Sequence, residues 1–233
     1  MQYNNAYNIF SKEANMRHNK LLSLYIVLMI AMLYIEWNNL IDARNIIKPI
    51  LMPILILTIY TKMTNTWQRN LLGLALLLSC IGDVLLLHPE KATNFMLGLV
   101  AFLLGHITYI IIFTKDIKLQ KSHKFVAGFS LLVIIFVITF YTSIKNNLGD
   151  MQIPVLAYMI IISIMSIIAA FRKNSVNNAS FLWVFCGAIL FMISDSMLAI
   201  DKFVVQFAHS SVFIMLSYML AQLFIIIGIL RQK

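Results

Sequence analysis

Long apolar segments alternate with short polar ones along almost the whole chain. A membrane-spanning helix needs about 20 mostly apolar residues, and segments of about that length recur eight times. We predict spans at residues 21–37, 46–62, 69–87, 95–113, 125–144, 153–171, 181–200 and 211–230. Residues 1–20 form a polar head, predicted to be cytoplasmic, and residues 21–233 form one eight-helix transmembrane domain.

Composition supports an all-α polytopic membrane protein. Hydrophobic residues make up 61% of the 233 positions, charged residues only 12%, and the mean hydropathy is +0.87. The loops are too short for a soluble domain, so any chemistry takes place among the helices. Cys80 and Cys186 both fall within predicted spans, where we expect them to pack rather than to form a disulfide.

Basic residues divide unequally between the two faces of the predicted membrane domain. The net charge of +9 therefore indicates topology rather than a nucleic-acid surface, because cytoplasmic loops are enriched in Lys and Arg. The opposite face carries Arg44, Lys48, Lys91, Lys145 and Lys202. The face with both termini carries Lys12, Arg17, Lys20, Lys62, Arg69, Lys115, Lys118, Lys121, Lys124, Arg172, Lys173, Arg231 and Lys233. We predict a cell-membrane protein with both termini in the cytoplasm.

The two halves of the chain show a weak internal similarity. An offset of 112 residues aligns 69–88 with 181–200, superimposing Asp83 on Asp195, and it places His106 on Tyr218. The same offset relates the first four helices to the last four with the same orientation, as in parallel repeats. The pattern is compatible with two parallel four-helix repeats whose aspartates face each other at one depth.

An aspartate interrupts the apolar stretch IGDVLLL at residues 81–87. Asp83 and Asp195 both lie about 6–8 Å inside the end of their spans, too deep for a short side chain to reach water. An ionised side chain near a helix centre costs about 2.5–3.5 kcal/mol on insertion, so intramembrane acids usually mark functional sites. We predict that Asp83 and Asp195 are catalytic, although a packing hydrogen bond is an alternative.

Other polar groups occur at similar depth and predict a polar pocket around the aspartates. Each of them also has a structural explanation, as a snorkelling lysine, a packed histidine or an interhelical hydrogen bond. The combination is what favours a site. The candidate supporting residues are Lys48, His106, Tyr158, Ser194, Tyr218 and Gln222.

Three alternatives remain open from the residues alone. His88 and His209, near the outer helix ends, suggest a zinc-dependent lipid hydrolase, although zinc generally needs three or four ligands. Intramembrane acids and a two-half architecture also suit a small proton-coupled transporter, and a structural or receptor-like protein is the third alternative. Glu36, beside Trp37, is interpreted as an interfacial residue rather than a third acid. We predict no metal and no cofactor.

Five segments of the sequence resemble the YhhN family of integral membrane proteins, whose characterised members are lysoplasmalogenases. The likeness runs from about residue 46 to 230, with the segments in the expected order. They are KPILMPIL (48–55), GDVLLL (82–87), FMLGLVAFLLGHITYI (95–110), GAILFMISDSMLAIDKF (187–203) and SYMLAQLFIIIGI (217–229).

The resemblance implies hydrolysis of the vinyl ether bond of a lysophospholipid to a fatty aldehyde and a glycerophospho-base. Asp83 and Asp195 match the aspartate motifs of the family. Two carboxyl groups, one protonated and one ionised, also suit this chemistry, as they do in glycoside hydrolysis. The expected partners are a lysophospholipid and the bilayer, with Lys48 near the lipid phosphate; the sequence does not determine which aspartate is the acid.

The first testable prediction concerns orientation. A reporter that is active only in the cytoplasm, fused after Lys233, should be active, because thirteen basic residues lie on the face of the termini and five on the other. The same reporter inserted after Lys145 should be inactive. Activity only for the insertion would reverse the orientation.

Overall fold

The computed structural model describes residues 2–117 and 123–232, with side chains from Met16 to Ile117 and from Lys124 to Gln232. Lys118, Lys121, Lys233 and the side chain of Lys12, used in the orientation prediction, lie outside the described set. The main elements in that range are the helices α1 (Gln2–Trp37), α2 (Ile41–Lys62), α3 (Thr66–Leu85), α4 (Ala92–Lys115), α5 (His123–Ile144), α6 (Gln152–Phe171), α7 (Asn178–Phe203) and α8 (Ser210–Leu230). Two short 3₁₀ turns, Lys145–Asn147 and Gly149–Met151, connect α5 to α6.

The described chain contains eight helical segments of 20 to 26 residues, each long and apolar enough to cross a membrane. The predicted all-α, polytopic fold is therefore confirmed. The α1 helix begins at Gln2 instead of residue 21, because the polar head contains no Gly or Pro to interrupt it. The α2 helix begins at Ile41 instead of residue 46, because its first turn carries polar residues that hydropathy excludes.

Short connections with defined turn chemistry place consecutive helices side by side. Asn39, between α1 and α2, adopts φ +52°, a conformation that Asn tolerates better than most residues. The side chains of Asn65 and Asn177 cap α3 and α7 by accepting hydrogen bonds from the backbone N–H groups of Gln68 and Ser180, at 3.3 and 2.8 Å.

Helix pairing follows the pattern that a two-fold repeat requires in most places. The most extensive contact joins α7 to α8, and the corresponding α3–α4 contact comes next. The α1–α2 and α2–α3 contacts correspond to α5–α6 and α6–α7, and α4–α6 corresponds to α8–α2. The α1–α8 contact has no counterpart of similar extent in the described part of α4 and α5. These pairings support the repeat, which stays a prediction.

Glycines allow the two largest helix contacts. Gly98 and Gly105 on α4 face α3 and the residue after its end: an added Cβ would lie 3.1 Å from Leu86 at Gly98 and 3.5 Å from the Ala75 carbonyl at Gly105. At the α7–α8 contact the approach is closer still. A Cβ at Gly228 would lie 2.6 Å from Val184 Cγ2 and 2.8 Å from the Val184 backbone nitrogen.

Gly228→Ala should therefore destabilise the bundle. Relief of the clash requires the α7 and α8 backbones to move apart, and overpacking of this kind costs about 1–3 kcal/mol. The measurement is the unfolding temperature of the purified protein in detergent. Gly128→Ala in α5 is the matched control, because no atom lies within 4 Å of its added Cβ. Equal unfolding temperatures for the two variants would contradict the close approach.

Candidate active site

The aspartates approach the interior of the bundle from α3 and α7. Asp83 lies in the last turn of α3, and its residue is 2% exposed. Asp195 lies within α7, and its side chain is 16% exposed. Burial on this scale requires hydrogen-bond donors, because an unpaired carboxylate in a low-dielectric interior is costly.

Asp83 takes its donors from α8 and α2. The Tyr218 hydroxyl donates to Asp83 Oδ2 at 2.7 Å, and Lys48 Nζ lies 3.9 Å from Asp83 Oδ1. The Lys48 side chain is only 11% exposed, so both charges of this pair are largely removed from water. The pair favours an ionised Asp83, since an ammonium ion stabilises a nearby carboxylate.

Asp195 takes its partners from α6 and α4, and neither is a permanent cation. The Tyr158 hydroxyl donates to Asp195 Oδ2 at 2.5 Å, and His106 Nε2 lies 3.9 Å from the same oxygen. The His106 ring meets Tyr158 and Phe191 edge-on and is buried, and its Nδ1 has no hydrogen-bond partner among the described residues. Asp195 therefore lies in a less positive environment than Asp83.

The two aspartate environments are related by the two-fold pattern of the helices. Each aspartate receives one partner from the helix before it and one from the last helix of the other half. Tyr218 and His106, in the second role, are separated by the same offset of 112 residues as the aspartates. The partner from the preceding helix is Lys48 for Asp83 and Tyr158 for Asp195, so the two aspartate sites differ in charge.

A cavity of about 170 Å³, lined by charged as well as apolar side chains, includes both aspartates in its lining; we call it the polar cavity. It lies at the end of the bundle where α1, α3 and α7 end and α2 and α8 begin. Its lining residues are Glu36, Arg44, Lys48, Asp83, Leu86, Pro89, Phe102, Ser194, Asp195, Leu198, Asp201, Ser211, Ile214, Met215 and Tyr218.

A second, narrow cavity of about 40 Å³, the apolar cavity, lies between α4, α5, α6 and α7. It shares Leu86, Phe102, Asp195 and Leu198 with the polar cavity, so Asp195 is the one aspartate that reaches both. Its other lining residues are Phe95, Leu99, Phe136, Val137, Phe140, Val155, Tyr158, Met159, Ile162, Ser163, Met192, Ser196, Ala199 and Phe203. One cavity has an apolar lining, the other carries the charged side chains, and Asp195 belongs to both linings.

Two predicted supporting residues lie farther from the carboxyl groups. Ser194 lines the polar cavity, but its hydroxyl donates to the Ile214 carbonyl at 3.0 Å. The Gln222 amide donates to Ser79 Oγ at 2.9 Å and accepts from the Tyr109 hydroxyl at 2.5 Å. Gln222 lines neither cavity, and its contacts belong to a buried network between α3, α4 and α8.

His88 and His209, the histidines considered as zinc ligands, contact different residues. His88 Nδ1 lies 3.4 Å from Glu90, and the His209 ring stacks on Trp37 with centroids 4.0 Å apart. Within the described residues no group of three or more His, Cys, Asp or Glu side chains is arranged to hold a metal ion. The described donors therefore do not fit a zinc site.

Three charged residues of the polar cavity were missed from the sequence. Glu36 is 4% exposed, and its Oε2 pairs with Arg44 Nη1 at 3.7 Å. Asp201 is the third of these charged residues in the lining of the polar cavity. The signal for Arg44 is its position one helical turn before Lys48, which places both on one face once α2 is extended to Ile41.

The helices and the buried carboxyl pair define a multi-pass membrane protein with an intramembrane polar site. A model of the YhhN family matches residues 43–229, and the chain belongs to that family, as its resemblance indicated. No solved structure matches the chain.

Relatives of the chain carry names that state an activity. It is 32% identical to lysoplasmalogenase TMEM86B of Mus musculus over 72% of this chain and 66% of that protein. The human TMEM86B lysoplasmalogenase is 32% identical over 70% of this chain and 65% of its own length. A lysoplasmalogenase of Mycobacterium tuberculosis is 31% identical over 69% and 60%. The chain thus spans slightly less than two thirds of the length of these relatives.

The Lys48–Asp83 pair should be energetically coupled. Lys48→Met leaves a buried carboxylate without its cation and should lower the free energy of unfolding by about 1–3 kcal/mol. In an Asp83→Asn background the same substitution should cost much less, because no charge remains to be stabilised. A double-mutant cycle from SDS-induced unfolding of the purified proteins measures the coupling energy between Lys48 and Asp83. Additive effects of the two substitutions would contradict a stabilising interaction between these side chains.

Proposed function

We propose that the protein hydrolyses the vinyl ether bond of lysoplasmalogen-type lysophospholipids to a fatty aldehyde and a glycerophospho-base. The observation that carries the proposal is the position of Asp195, which lines both the polar and the apolar cavity. A lysolipid has the same division, with a polar headgroup, a hydrocarbon chain and the reactive bond between them. The relatives named lysoplasmalogenase support the same substrate class.

The reaction needs an acid and an activated water. A proton is added to the double-bond carbon farther from oxygen, which leaves an oxocarbenium ion on the carbon bound to oxygen. Water adds to that carbon while its proton passes to a base, and the hemiacetal then breaks into aldehyde and alcohol. One protonated and one ionised carboxyl group supply these functions, as in glycoside hydrolysis.

The surroundings of the carboxyl groups support opposite roles. Asp195 has no permanent cation as a neighbour and faces the apolar cavity, which favours the protonated form and the role of general acid. Asp83 has Lys48 as a neighbour and faces only the polar cavity, which favours the carboxylate and the role of general base. Its charge also stabilises the oxocarbenium ion.

The remaining side chains orient these groups. Tyr158 and Tyr218 each fix one carboxylate oxygen by hydrogen bonding, leaving the other oxygen for the substrate or water. His106 Nδ1, buried without a partner among the described residues, is available to a water molecule. In this arrangement the hydrocarbon chain enters the apolar cavity between α4, α5, α6 and α7. Water enters from the polar cavity.

Asp83→Asn and Asp195→Asn should each abolish nearly all release of aldehyde from a lysoplasmenyl lipid. Loss of a general acid or base typically costs 10²–10⁴-fold, and the double variant should be hardly worse than either, since residues that act as a unit are not additive. The measurement is aldehyde formation by purified, monodisperse protein in detergent micelles. Asp150→Asn, an exposed acid in the α5–α6 connection, is the matched control.

Near-wild-type turnover by Asp195→Asn would refute the two-carboxylate mechanism. Detergent micelles also separate the alternatives, because a transporter yields no product there. Loss of turnover on chelation, restored by zinc, would favour the zinc-dependent hydrolase and its histidines, His88 and His209.

A further inference from the structure

We propose that Arg44 and Asp201 form a headgroup site in the polar cavity, with Arg44 and Lys48 binding the lipid phosphate and Asp201 binding a cationic amine. The inference rests on the proposed function for its ligand class, a lysophospholipid. It adds two specificity-determining residues and the kind of headgroup that they select, a zwitterionic phospho-base.

The basic side chains of the polar cavity retain donors for an anion. Arg44 and Lys48 are paired with Glu36 and Asp83 at 3.7 and 3.9 Å, which are long contacts for charge-assisted hydrogen bonds. Arg44 Nε is buried and has no hydrogen-bond partner among the described residues. A guanidinium with an unused N–H beside an ammonium is suited to phosphate, which accepts several hydrogen bonds at once.

Asp201 has the opposite character. It lines the same cavity, its Oδ1 is buried without a hydrogen-bond partner, and no ion pair joins it to another described side chain. Glu36 and Asp83 already have cations, so Asp201 is the cavity's acid with an unmet acceptor outside the catalytic pair. A carboxylate in this situation favours a cationic ligand group.

The position of Asp201 fits the far end of a headgroup. It follows Asp195 by six residues on α7, which is about 9 Å along the helix axis toward the end of the bundle. With the vinyl ether at Asp195, glycerol and phosphate extend in that direction, past Arg44 and Lys48, before the amine is reached. Arg44 and Lys48, in the first two turns of α2, line the same cavity, so phosphate and amine are bound at one end of the bundle.

Charge balance argues against a headgroup that ends in phosphate. A phosphate monoester carries up to two negative charges and no cationic group, so it would leave Asp201 without a partner and would repel this carboxylate. A phosphodiester with an amine carries one negative and one positive charge, which match Arg44 with Lys48 and Asp201.

Three alkyl ether ligands with the same chain test the site in the wild-type protein. An alkyl ether lacks the vinyl double bond and is not hydrolysed, so binding is measured apart from turnover. The ligands are 1-O-alkyl-glycerophosphoethanolamine, 1-O-alkyl-glycerophosphate and 1-O-alkylglycerol, and binding is measured by native mass spectrometry of the detergent-purified protein. We expect the ethanolamine ligand to bind at least about 10-fold more tightly than either of the others.

Two variants separate the roles of the residues. Asp201→Asn should weaken binding of the ethanolamine ligand about 10-fold and leave the glycerophosphate ligand unchanged or tighter. Arg44→Gln should weaken both phosphate-containing ligands by a similar factor and leave alkylglycerol unchanged. Glu90→Gln is the control, an exposed acid in the α3–α4 connection that does not line the polar cavity.

The outcomes distinguish the headgroup site from the proposed function. Equal binding of the three ligands by the wild type, or unchanged ligand preference in Asp201→Asn, overturns the site even if the vinyl ether is hydrolysed. The expected binding pattern without hydrolysis supports the site and overturns the proposed reaction. If a variant is not monodisperse, the wild-type comparison of ligands decides.

Discussion

The hydrogen-bonded burial of two carboxyl groups is the constraint on which the rest of this structure depends. Neither Asp83 nor Asp195 can be kept inside an apolar bundle without donors, and each finds a tyrosine hydroxyl on another helix. These bonds connect α3 to α8 and α7 to α6, so the polar groups also fix which helices meet. The close contacts at Gly187 and Gly228 bring α7 and α8 together independently of these hydrogen bonds.

The main difference in charge between the two aspartate sites is the lysine beside Asp83, which has no counterpart beside Asp195. Where Asp83 faces Lys48, Asp195 faces Tyr158, and the remaining partners, Tyr218 and His106, occupy equivalent places. A symmetric site would give two carboxyl groups of equal character. One lysine is enough to separate them, because a charge in a region poorly screened by water acts strongly on its neighbour.

Much of the fold follows from hydropathy, because a run of about 20 apolar residues has few alternatives to a spanning helix. Trp37, Lys62, Ile144, Phe171 and Leu230 end their helices where the pattern predicts. The start of α2 was placed too late, since its polar first turn faces a cavity rather than lipid, and Arg44 was missed with it. Asp83 stands out in an apolar run, whereas the partners of Gln222 and the cavity position of Asp201 depend on helix rotation, which a single sequence does not specify.

The polar cavity lies at one end of the bundle, among the ends of α1, α3 and α7 and the starts of α2 and α8. A site in this position meets the lipids of one leaflet. Lysolipids of the other leaflet reach it only after their headgroups cross the hydrocarbon core, which is slow for charged groups. Under the proposed function, the turnover of the two leaflets would therefore be unequal, and the rate of lipid flip-flop would set how far the protein can deplete its substrate from the membrane as a whole.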